Sequence, residues 1–168
     1  MKKNIDVFLI CPVRGIHGRV EAAIKRYVSE LEEQGLVVYW PQRDTMQVDP
    51  SGGVRICRDN IKGMIEAEQI HIWWNRESIG SKFDMGASMA MAMLLYYEGT
   101  GKEKKFVIAN PDNIRKPTEG KSFENVFLQL SRDDIWDVFD ELDELYDPED
   151  PNATYKKLCE DLETADVI

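Results

Sequence analysis

Residues 5–15 have the sequence IDVFLICPVRG, in which an apolar run ends at a cysteine, a proline, an arginine and a glycine. A short, continuous apolar run that is bounded by turn residues is typical of a buried strand. Apolar residues then recur at helical spacing from Val20 to Leu31, until Gly35 ends the pattern. The beginning of the chain therefore predicts a strand followed by a helix.

The later segments alternate in the same way, and strands and helices are predicted in turn over residues 36–40, 54–67, 70–74, 84–97, 106–109 and 126–130. Strands that alternate with helices indicate a parallel, doubly wound sheet. We expect a five-stranded α/β domain of the flavodoxin or Rossmann-like type over residues 1–130, with strand order 2-1-3-4-5. Residues 131–168 are predicted to form an acidic helical extension packed on that domain.

The charge of the chain is concentrated at one end. Residues 131–168 hold 14 acidic and 3 basic residues, which leaves 17 acidic and 18 basic residues in the rest of the chain. A near-neutral body lacks the basic stripe of a protein that binds duplex nucleic acid, and an anionic membrane would repel the acidic tail. The longest largely apolar run, residues 87–95, is also far shorter than the ~20 residues of a membrane-spanning helix. We therefore expect a cytoplasmic protein without nucleic-acid duplex or membrane partners.

The types of residue that the chain lacks exclude several classes of site. Cys11, Cys57 and Cys159 are odd in number and show no C-x-x-C spacing, which argues against a disulfide framework and a zinc site. The glycine patterns that bind dinucleotides or ATP are absent. Two histidines, His17 and His71, give little support for histidine-based hydrolysis, and His71 is predicted to be a hydrogen-bonded core residue. We expect no metal and no cofactor.

In parallel α/β sheets, ligands bind beyond the carboxyl ends of the strands, where the chain passes from strand to helix. The loops after the first and third predicted strands are short, polar and rich in small residues. The forked guanidinium of an arginine suits a phosphate, and backbone amides and hydroxyls at a helix start favour an anion. The predicted substrate-binding residues are Cys11, Pro12, Arg14 and Gly15 in the first loop and Asn75, Ser78, Gly80 and Ser81 in the second.

The sequences FLICPVRG at residues 8–15 and SIGSKFDMGA at residues 78–87 together resemble the nucleoside 2-deoxyribosyltransferase superfamily, and most closely its 2'-deoxynucleoside 5'-phosphate N-hydrolase branch. The resemblance covers roughly residues 5–110. It implies cleavage of the N-glycosidic bond of a (deoxy)nucleoside or its 5'-monophosphate, by hydrolysis or by transfer of the deoxyribosyl group to another base. It also implies a homodimer or larger assembly.

The resemblance assigns roles to individual residues. Asp84 stands where the family has a glutamate that acts at the sugar C1' carbon, and Asn60 and Glu68 stand where it has two aspartates. The predicted catalytic residues are therefore Asp84, Glu68 and Asn60. The positions of Ser78, Gly80, Arg14 and Gly15 correspond to those that hold the 5'-phosphate. Because the three catalytic positions differ from the family's residues, a catalytically inactive nucleotide-binding module of the same fold is the alternative. An interaction protein that acts through its acidic tail is a third possibility.

The chemistry of a carboxylate supports the same role on physical grounds. Cleavage of an N-glycosidic bond passes through an oxocarbenium-like sugar, whose positive charge a nearby carboxylate stabilises. Asp84 is predicted at a helix start, where the helix dipole favours its ionised form; the alternative is that it only caps the helix. Trp40, Trp73 and Trp74 follow strands and could stack on a base, although burial is expected for at least one of them.

Overall fold

The computed structural model describes residues 4–16, 18–99, 103–114, 122–145 and 149–150. The chain divides into two compact units, Met1–Ser131 and Arg132–Ile168. The second unit contains the helix α6 (Ile135–Leu145). None of the helices within these ranges is long and apolar enough to cross a membrane. His17, and residues 151–168 at the end of the predicted acidic extension, lie outside the described residues.

The first unit contains a parallel sheet and helices that connect its strands. Its elements are, in chain order, β1 (Val7–Ile10), α1 (Arg19–Glu33), β2 (Val38–Tyr39), α2 (Pro41–Asp44), α3 (Val54–Glu66), β3 (Gln69–Ile72), α4 (Ile79–Tyr97), β4 (Lys105–Ile108), a 3-10 turn (Pro111–Asn113) and α5 (Phe123–Leu130). The strand order is β2-β1-β3-β4, and every neighbouring pair is parallel. The α/β class and the order of the first four strands are confirmed.

The expected fifth strand is wrong, because residues 126–130 belong to helix α5. The side chain of Ser122 caps this helix by accepting a hydrogen bond from the backbone N–H of Asn125. Phe127 and Leu130, which are three residues apart, are its buried residues. A short apolar run fits a strand and a buried helix equally well, and the serine cap favours the helix. The sheet of the described residues therefore has four strands.

Helix α4 begins earlier than the sequence predicted. It starts at Ile79, because the side chain of Ser78 caps it and accepts from the backbone N–H of Ser81 at 3.3 Å. The two serine hydroxyls are also 2.8 Å apart. Asp84 consequently lies more than one turn inside the helix, so the expected position at the helix start is wrong. The orphan N–H groups of a helix are confined to its first turn, so the helix dipole is weak at this carboxylate.

Helix α1 packs on one face of the sheet. Ile24, Val28 and Leu31 form a buried cluster with apolar side chains of β1 and β2. The hydroxyl of Tyr27 lies 2.7 Å from Nδ1 of His71, and Nε2 of His71 lies 3.1 Å from the side-chain oxygen of Gln69. Burial lowers the pKa of His71 to about 4, so the imidazole is neutral at pH 7. The prediction of a hydrogen-bonded core histidine is confirmed.

Helix α3 approaches the other face of the sheet closely at Gly63. A Cβ atom at this position would lie 3.0 Å from two ring atoms of Phe8, which is fully buried. Phe8 in turn stacks on Tyr39, with ring centroids 5.2 Å apart. Glycine therefore permits the helix to lie directly on the aromatic pair. This packing fixes the position of Asn60, which is buried one turn earlier on α3.

Both ends of α3 are held by side chains from elsewhere in the fold. The buried ammonium of Lys104 donates to the carbonyl oxygens of Ile65 and Ala67 at the carboxyl end. At the amino end, the carboxylate of Asp49 accepts from the backbone N–H of Ile56 at 3.1 Å. A cation at the carboxyl end and an anion at the amino end also complement the helix dipole. The helix that carries Asn60 is thus fixed along its axis.

Candidate functional site

A half-buried carboxylate lies between α3 and α4, next to the sheet. Oδ2 of Asp84 on α4 accepts a hydrogen bond from Nδ2 of Asn60 on α3, at 3.2 Å. Helix α4 contacts both α3 and β1. Because both helices follow the carboxyl ends of strands and run back along the sheet, their first turns lie at the edge where such folds bind ligands. The structure therefore brings together two of the three predicted catalytic residues, Asp84 and Asn60.

The hydrogen bonds continue from Asn60 into the loop after β2. Oγ1 of Thr45 donates to Oδ1 of Asn60 at 3.0 Å, and the hydroxyl of Tyr39 lies 2.8 Å from the same Oγ1 atom. Asn60 and Thr45 are 6% and 4% exposed, so solvent hardly reaches the two central residues of this series of hydrogen bonds. No sequence pattern indicates a role for Thr45, because a single threonine in a polar loop belongs to no motif.

Burial changes the acidity of Asp84. The pKa of this carboxyl is raised from 3.8 to about 6, because removal from water disfavours the charged form, and the hydrogen bond from Asn60 offsets part of that effect. At pH 7 about nine-tenths of the molecules still carry the carboxylate. Asp84 was expected to be ionised with the support of the helix dipole; it is largely ionised at pH 7, but burial opposes that charge and the helix start does not support it. The residue is instead a carboxylate in a place of low polarity, which is characteristic of functional sites.

Cys11 lies near this carboxylate and next to the indole of Trp40. Burial raises the pKa of the Cys11 thiol to about 12, the indole of Trp40 lowers it, and the negative charge of Asp84 raises it. The thiol is therefore neutral at pH 7 and packs in the core below the loop. The indole N–H of Trp40 is buried and meets no acceptor in hydrogen-bond geometry within the described part of the chain.

The two tryptophans at the end of β3, Trp73 and Trp74, differ in exposure. Trp74 is 5% exposed and contacts the ring of Phe127, whereas Trp73 is half-buried against the ring of Tyr27. The backbone N–H and C=O of Trp74 both bond to the side-chain amide of Asn110, at 2.6 and 3.0 Å. This amide extends the strand pairing by one residue. The expected burial of at least one tryptophan is confirmed by Trp74.

The loop after β1 presents an arginine to solvent. Pro12 is buried, whereas Arg14 and Gly15 are exposed. Gly15 has a φ of +72°, a backbone conformation that side chains with a Cβ rarely adopt. Arg14 makes no ion pair with the described residues. Its guanidinium therefore stands next to a turn that requires glycine, at the carboxyl end of β1.

The loop after β3 is organised by its own polar side chains. Oδ1 of Asn75 accepts from the backbone N–H of Glu77 at 2.9 Å, which closes a local turn. Ser78 caps α4, and its partner Ser81 is 3% exposed. Gly80 is exposed, and a Cβ there would meet no atom within 4 Å. Three of the four predicted binding residues in this loop thus have structural roles, and Gly80 is left open to solvent.

Glu68 is not part of this group of residues. It directly precedes β3, its side chain is exposed, and its carbonyl oxygen accepts from the N–H of Lys105 at the start of β4. The beginning of β3 lies at the amino ends of the parallel strands, at the opposite edge of the sheet from the loops described above. Within the described residues, no hydrogen bond or ion pair joins Glu68 to Asp84 or Asn60.

Two surface cavities differ in their position relative to the sheet. One of about 580 Å³ runs along the edge strand β2, between residues 35–39 and the side chains of Glu32 and Arg43. A smaller one of about 310 Å³ lies beyond the carboxyl ends of β3 and β4. Its lining residues are Trp74, Asn75, Arg76, Asn113 and Glu124. The smaller cavity is at the edge where a parallel sheet binds ligands, although Asp84 does not line it. Among the described residues, no three acidic, cysteine or histidine side chains are grouped so as to hold a metal ion.

Comparison of the chain with models of known protein families finds no match, and comparison with curated proteins finds none either. The family membership that the two sequence motifs indicate stays a prediction.

The raised pKa of Asp84 predicts a pH-dependent effect on stability. A carboxyl whose pKa is higher in the folded than in the unfolded protein stabilises the fold most when it is protonated in both states, below its unfolded pKa of 3.8. This stabilisation is lost as the pH rises through the folded pKa of about 6. The free energy of unfolding of Asp84→Asn should therefore exceed that of the wild type by about 2 kcal/mol at pH 8. This difference in stability should disappear at pH 4. Urea unfolding of both proteins at the two pH values measures this difference.

Asp59→Asn is the matched control for this prediction. Asp59 also lies on α3, but Arg58 and Arg55 lower the pKa of its carboxyl. Replacement of Asp59 should therefore lower the stability at pH 8, whereas replacement of Asp84 should raise it. The same stability difference between Asp84→Asn and the wild type at pH 4 and pH 8 would contradict the assignment of a buried charge at Asp84.

Proposed function

We propose that this protein cleaves the N-glycosidic bond of a (deoxy)nucleoside or its 5'-monophosphate, and that the carboxylate of Asp84 acts at the sugar C1' carbon. The observation that supports the proposal is the environment of Asp84. It is a carboxylate of raised pKa, held by Asn60 and placed between two helices that begin at the ligand-binding edge of a parallel sheet. The two sequence motifs that resemble the deoxyribosyltransferase superfamily cover the end of β1 with the loop after it, and the cap and first turns of α4.

The chemistry requires a negative charge close to the sugar. As the bond to the base breaks, positive charge develops on C1' and the ring oxygen. A carboxylate that is largely removed from water interacts with this charge more strongly than an exposed one, because the local dielectric constant is lower. Asp84 can act as an electrostatic partner or can form a covalent bond to C1', and water or a second base then takes the sugar.

Asn60 has a different role from Asp84 in this proposal. An amide has no proton to give at neutral pH, so Asn60 orients the carboxylate and does not act as an acid. Glu68 is left out of the reaction, because it lies at the other edge of the sheet. The leaving base therefore takes its proton from a source other than these two residues.

Release of free base from a panel of deoxynucleosides and their 5'-monophosphates tests the proposal. The wild type should release base from at least one member, and Asp84→Asn, which keeps the size of the side chain, should lower the rate by at least 100-fold. Reactions with and without an acceptor base separate hydrolysis from transfer. Asp59→Asn serves as the control, because its carboxylate is held by arginines on the same helix as Asn60.

The result also decides between the enzyme and its main alternative. Calorimetric binding of a nucleotide without release of base from any member of the panel would identify an inactive nucleotide-binding module. Equal release by the wild type and Asp84→Asn would exclude the proposed role of the carboxylate.

A substrate with a 5'-phosphate is favoured by Arg14. Its guanidinium is exposed at the carboxyl end of β1 and makes no ion pair within the described ranges, so it is available to an anion. The left-handed conformation of Gly15 leaves the adjoining backbone accessible. The forked guanidinium matches the oxygens of a phosphate.

Arg14→Ala should weaken the binding of a monophosphate by about 10- to 150-fold, the value of a hydrogen bond to a charged group, and should leave the binding of the matching nucleoside almost unchanged. Calorimetry with both ligands gives the ratio. Arg26→Ala, which removes an exposed arginine from α1, is the control for a loss of overall charge. If Arg14→Ala changes the two affinities by the same factor, Arg14 does not bind the phosphate.

We also propose that the chain forms a homodimer or larger assembly through α4. Ile79, Phe83 and Leu94 are 82%, 54% and 63% exposed, and Gly86 and Ala90 lie between them at helical spacing. These residues form an uncharged apolar stripe along four turns. An exposed apolar stripe of this length is typical of a protein interface, and small residues allow two copies of the helix to approach closely.

Sedimentation at tens of micromolar should therefore give a mass of at least two chains, and Leu94→Asp should shift it towards one. Leu94 is ten residues from Asp84, so this substitution leaves the proposed active site in place. A wild-type mass of one chain, 19.4 kDa, across the concentration range would contradict the assembly.

The two free cysteines of the described residues, Cys11 and Cys57, are consistent with the reducing environment of the cytoplasm, which we propose as the location of the protein.

A further inference from the structure

Three hydrogen bonds connect Tyr39, Thr45, Asn60 and Asp84 in series. The distances are 2.8 Å between the two hydroxyls, 3.0 Å from Thr45 to Asn60, and 3.2 Å from Asn60 to Asp84. The four residues come from β2, the loop after α2, α3 and α4, so the chain of bonds crosses four separate segments. Thr45 and Asn60, the two central members, are buried polar residues within this arrangement.

The charge of Asp84 determines the direction of every bond in the series. A carboxylate only accepts hydrogen bonds, so Asn60 must present its NH₂ group to Asp84 and its oxygen to Thr45. Thr45 must then donate its single hydroxyl proton to that oxygen. The hydroxyl of Tyr39 consequently donates to Oγ1 of Thr45, and burial keeps Tyr39 protonated because it raises the pKa of the phenol.

We propose that Thr45 is a positioning residue that acts through Asn60 on the carboxylate of Asp84, and that Tyr39 orients the Thr45 hydroxyl. This inference rests on the proposed function for its effect on turnover. Without the Thr45 hydroxyl, the buried oxygen of Asn60 has no donor, so the bond to Asp84 is the one remaining hydrogen bond of this series that holds the amide. The amide and the carboxylate that it orients are then less well fixed.

The groups around Asp84 make a pH measurement specific to it. Cys11, at the end of β1, has a pKa of about 12, and the pKa of Tyr39 on β2 is also raised. Asp59, next to Asn60 on α3, pairs with two arginines that lower its pKa. His71 on β3 lies against α1 on the opposite face of the sheet, and its pKa is about 4. Among these groups, Asp84 is the one that changes charge between pH 5 and pH 7.

Thr45→Val tests the proposal, because valine has nearly the shape of threonine without its hydroxyl. Its kcat should fall by about 10- to 100-fold with little change in KM, as expected for a misplaced reacting group. The acid limb of the pH profile should move up by about one pH unit, because the bond that favours the ionised form of Asp84 is weakened. Thr45→Ser keeps the hydroxyl and should restore both values.

Ser88→Ala is the matched control. Like Thr45→Val, it removes a buried hydroxyl, in this case from α4, four residues after Asp84. The Ser88 hydroxyl donates to the carbonyl of Met85 and is not part of the series. Ser88→Ala should leave the pH profile in place. A Thr45→Val enzyme whose kcat and acid limb equal those of the wild type would overturn the proposal, and the proposed function would stand.

A second measurement needs neither turnover nor a stable Thr45→Val protein. The side-chain amide resonances of Asn60 in the wild type, followed by NMR from pH 4 to pH 8, should titrate together with the Asp84 carboxyl. Tyr39→Phe, which keeps the aromatic stack on Phe8, should move this titration upward. Amide resonances that do not change with pH, or an unchanged titration in Tyr39→Phe, would overturn the proposal. If the titration responds but no nucleoside is cleaved, the proposed function fails and the positioning of the carboxylate stands.

Discussion

The close approach of α3 to the sheet at Gly63 is the constraint on which the arrangement of the candidate site depends. The helix lies so close to the ring of Phe8 that a Cβ atom at position 63 would be 3.0 Å from two ring atoms. Asn60 is buried one turn earlier on the same helix, and its amide then reaches both Thr45 and Asp84. A helix that lay an ångström or more further out would break two hydrogen bonds, because such bonds weaken steeply beyond about 3.2 Å. The hydrogen bonds of the site thus depend on the close packing at Gly63.

The same closeness has an energetic consequence. It places a carboxylate where burial raises its pKa to about 6, so the folded protein is less stable at neutral pH than it would be with a neutral side chain there. A fold that was optimised only for stability would contain an apolar or amide side chain at this position. Retention of an ionised group at a cost to folding is common at functional sites. This cost gives Asp84 a functional interpretation that does not depend on the resemblance to a known family.

The sequence predicted the elements that periodicity and turn residues define, and failed where a local contact decides. The apolar runs of β1 and β3, and the glycine after α1, were sufficient for the parallel sheet and for the order of its first four strands. Residues 126–130 are helical because Ser122 caps them, and α4 begins at Ile79 because Ser78 does the same. Both serines are visible in the sequence, but whether a serine caps a helix depends on the backbone geometry around it.

The candidate site shows the same division between pattern and contact. Asp84 and Asn60 could be predicted, because they occupy recognisable positions in the two motifs and the intervening helix. Thr45 could not be predicted, because it directly follows α2 and its hydroxyl bonds to Asn60 on α3. The spacing of residues in the sequence does not indicate this contact. Glu68 was predicted from its charge and from the position that the family resemblance gives it. It precedes β3, so it lies at the amino ends of the parallel strands, at the opposite edge of the sheet.

The identity of residue 60 has a direct effect on the charge of Asp84. The family resemblance places an aspartate at this position, and an aspartate 3.2 Å from Asp84 would form a carboxylate pair. Two carboxylates at that distance cannot both ionise at neutral pH, so one proton would be shared and one pKa would rise strongly. An asparagine of the same size donates a hydrogen bond instead and lowers the pKa of its partner. The combination of Asn60 with Asp84 therefore keeps the negative charge of the site on one carboxylate, without a proton shared between two. That is the charge state that the proposed reaction requires of Asp84.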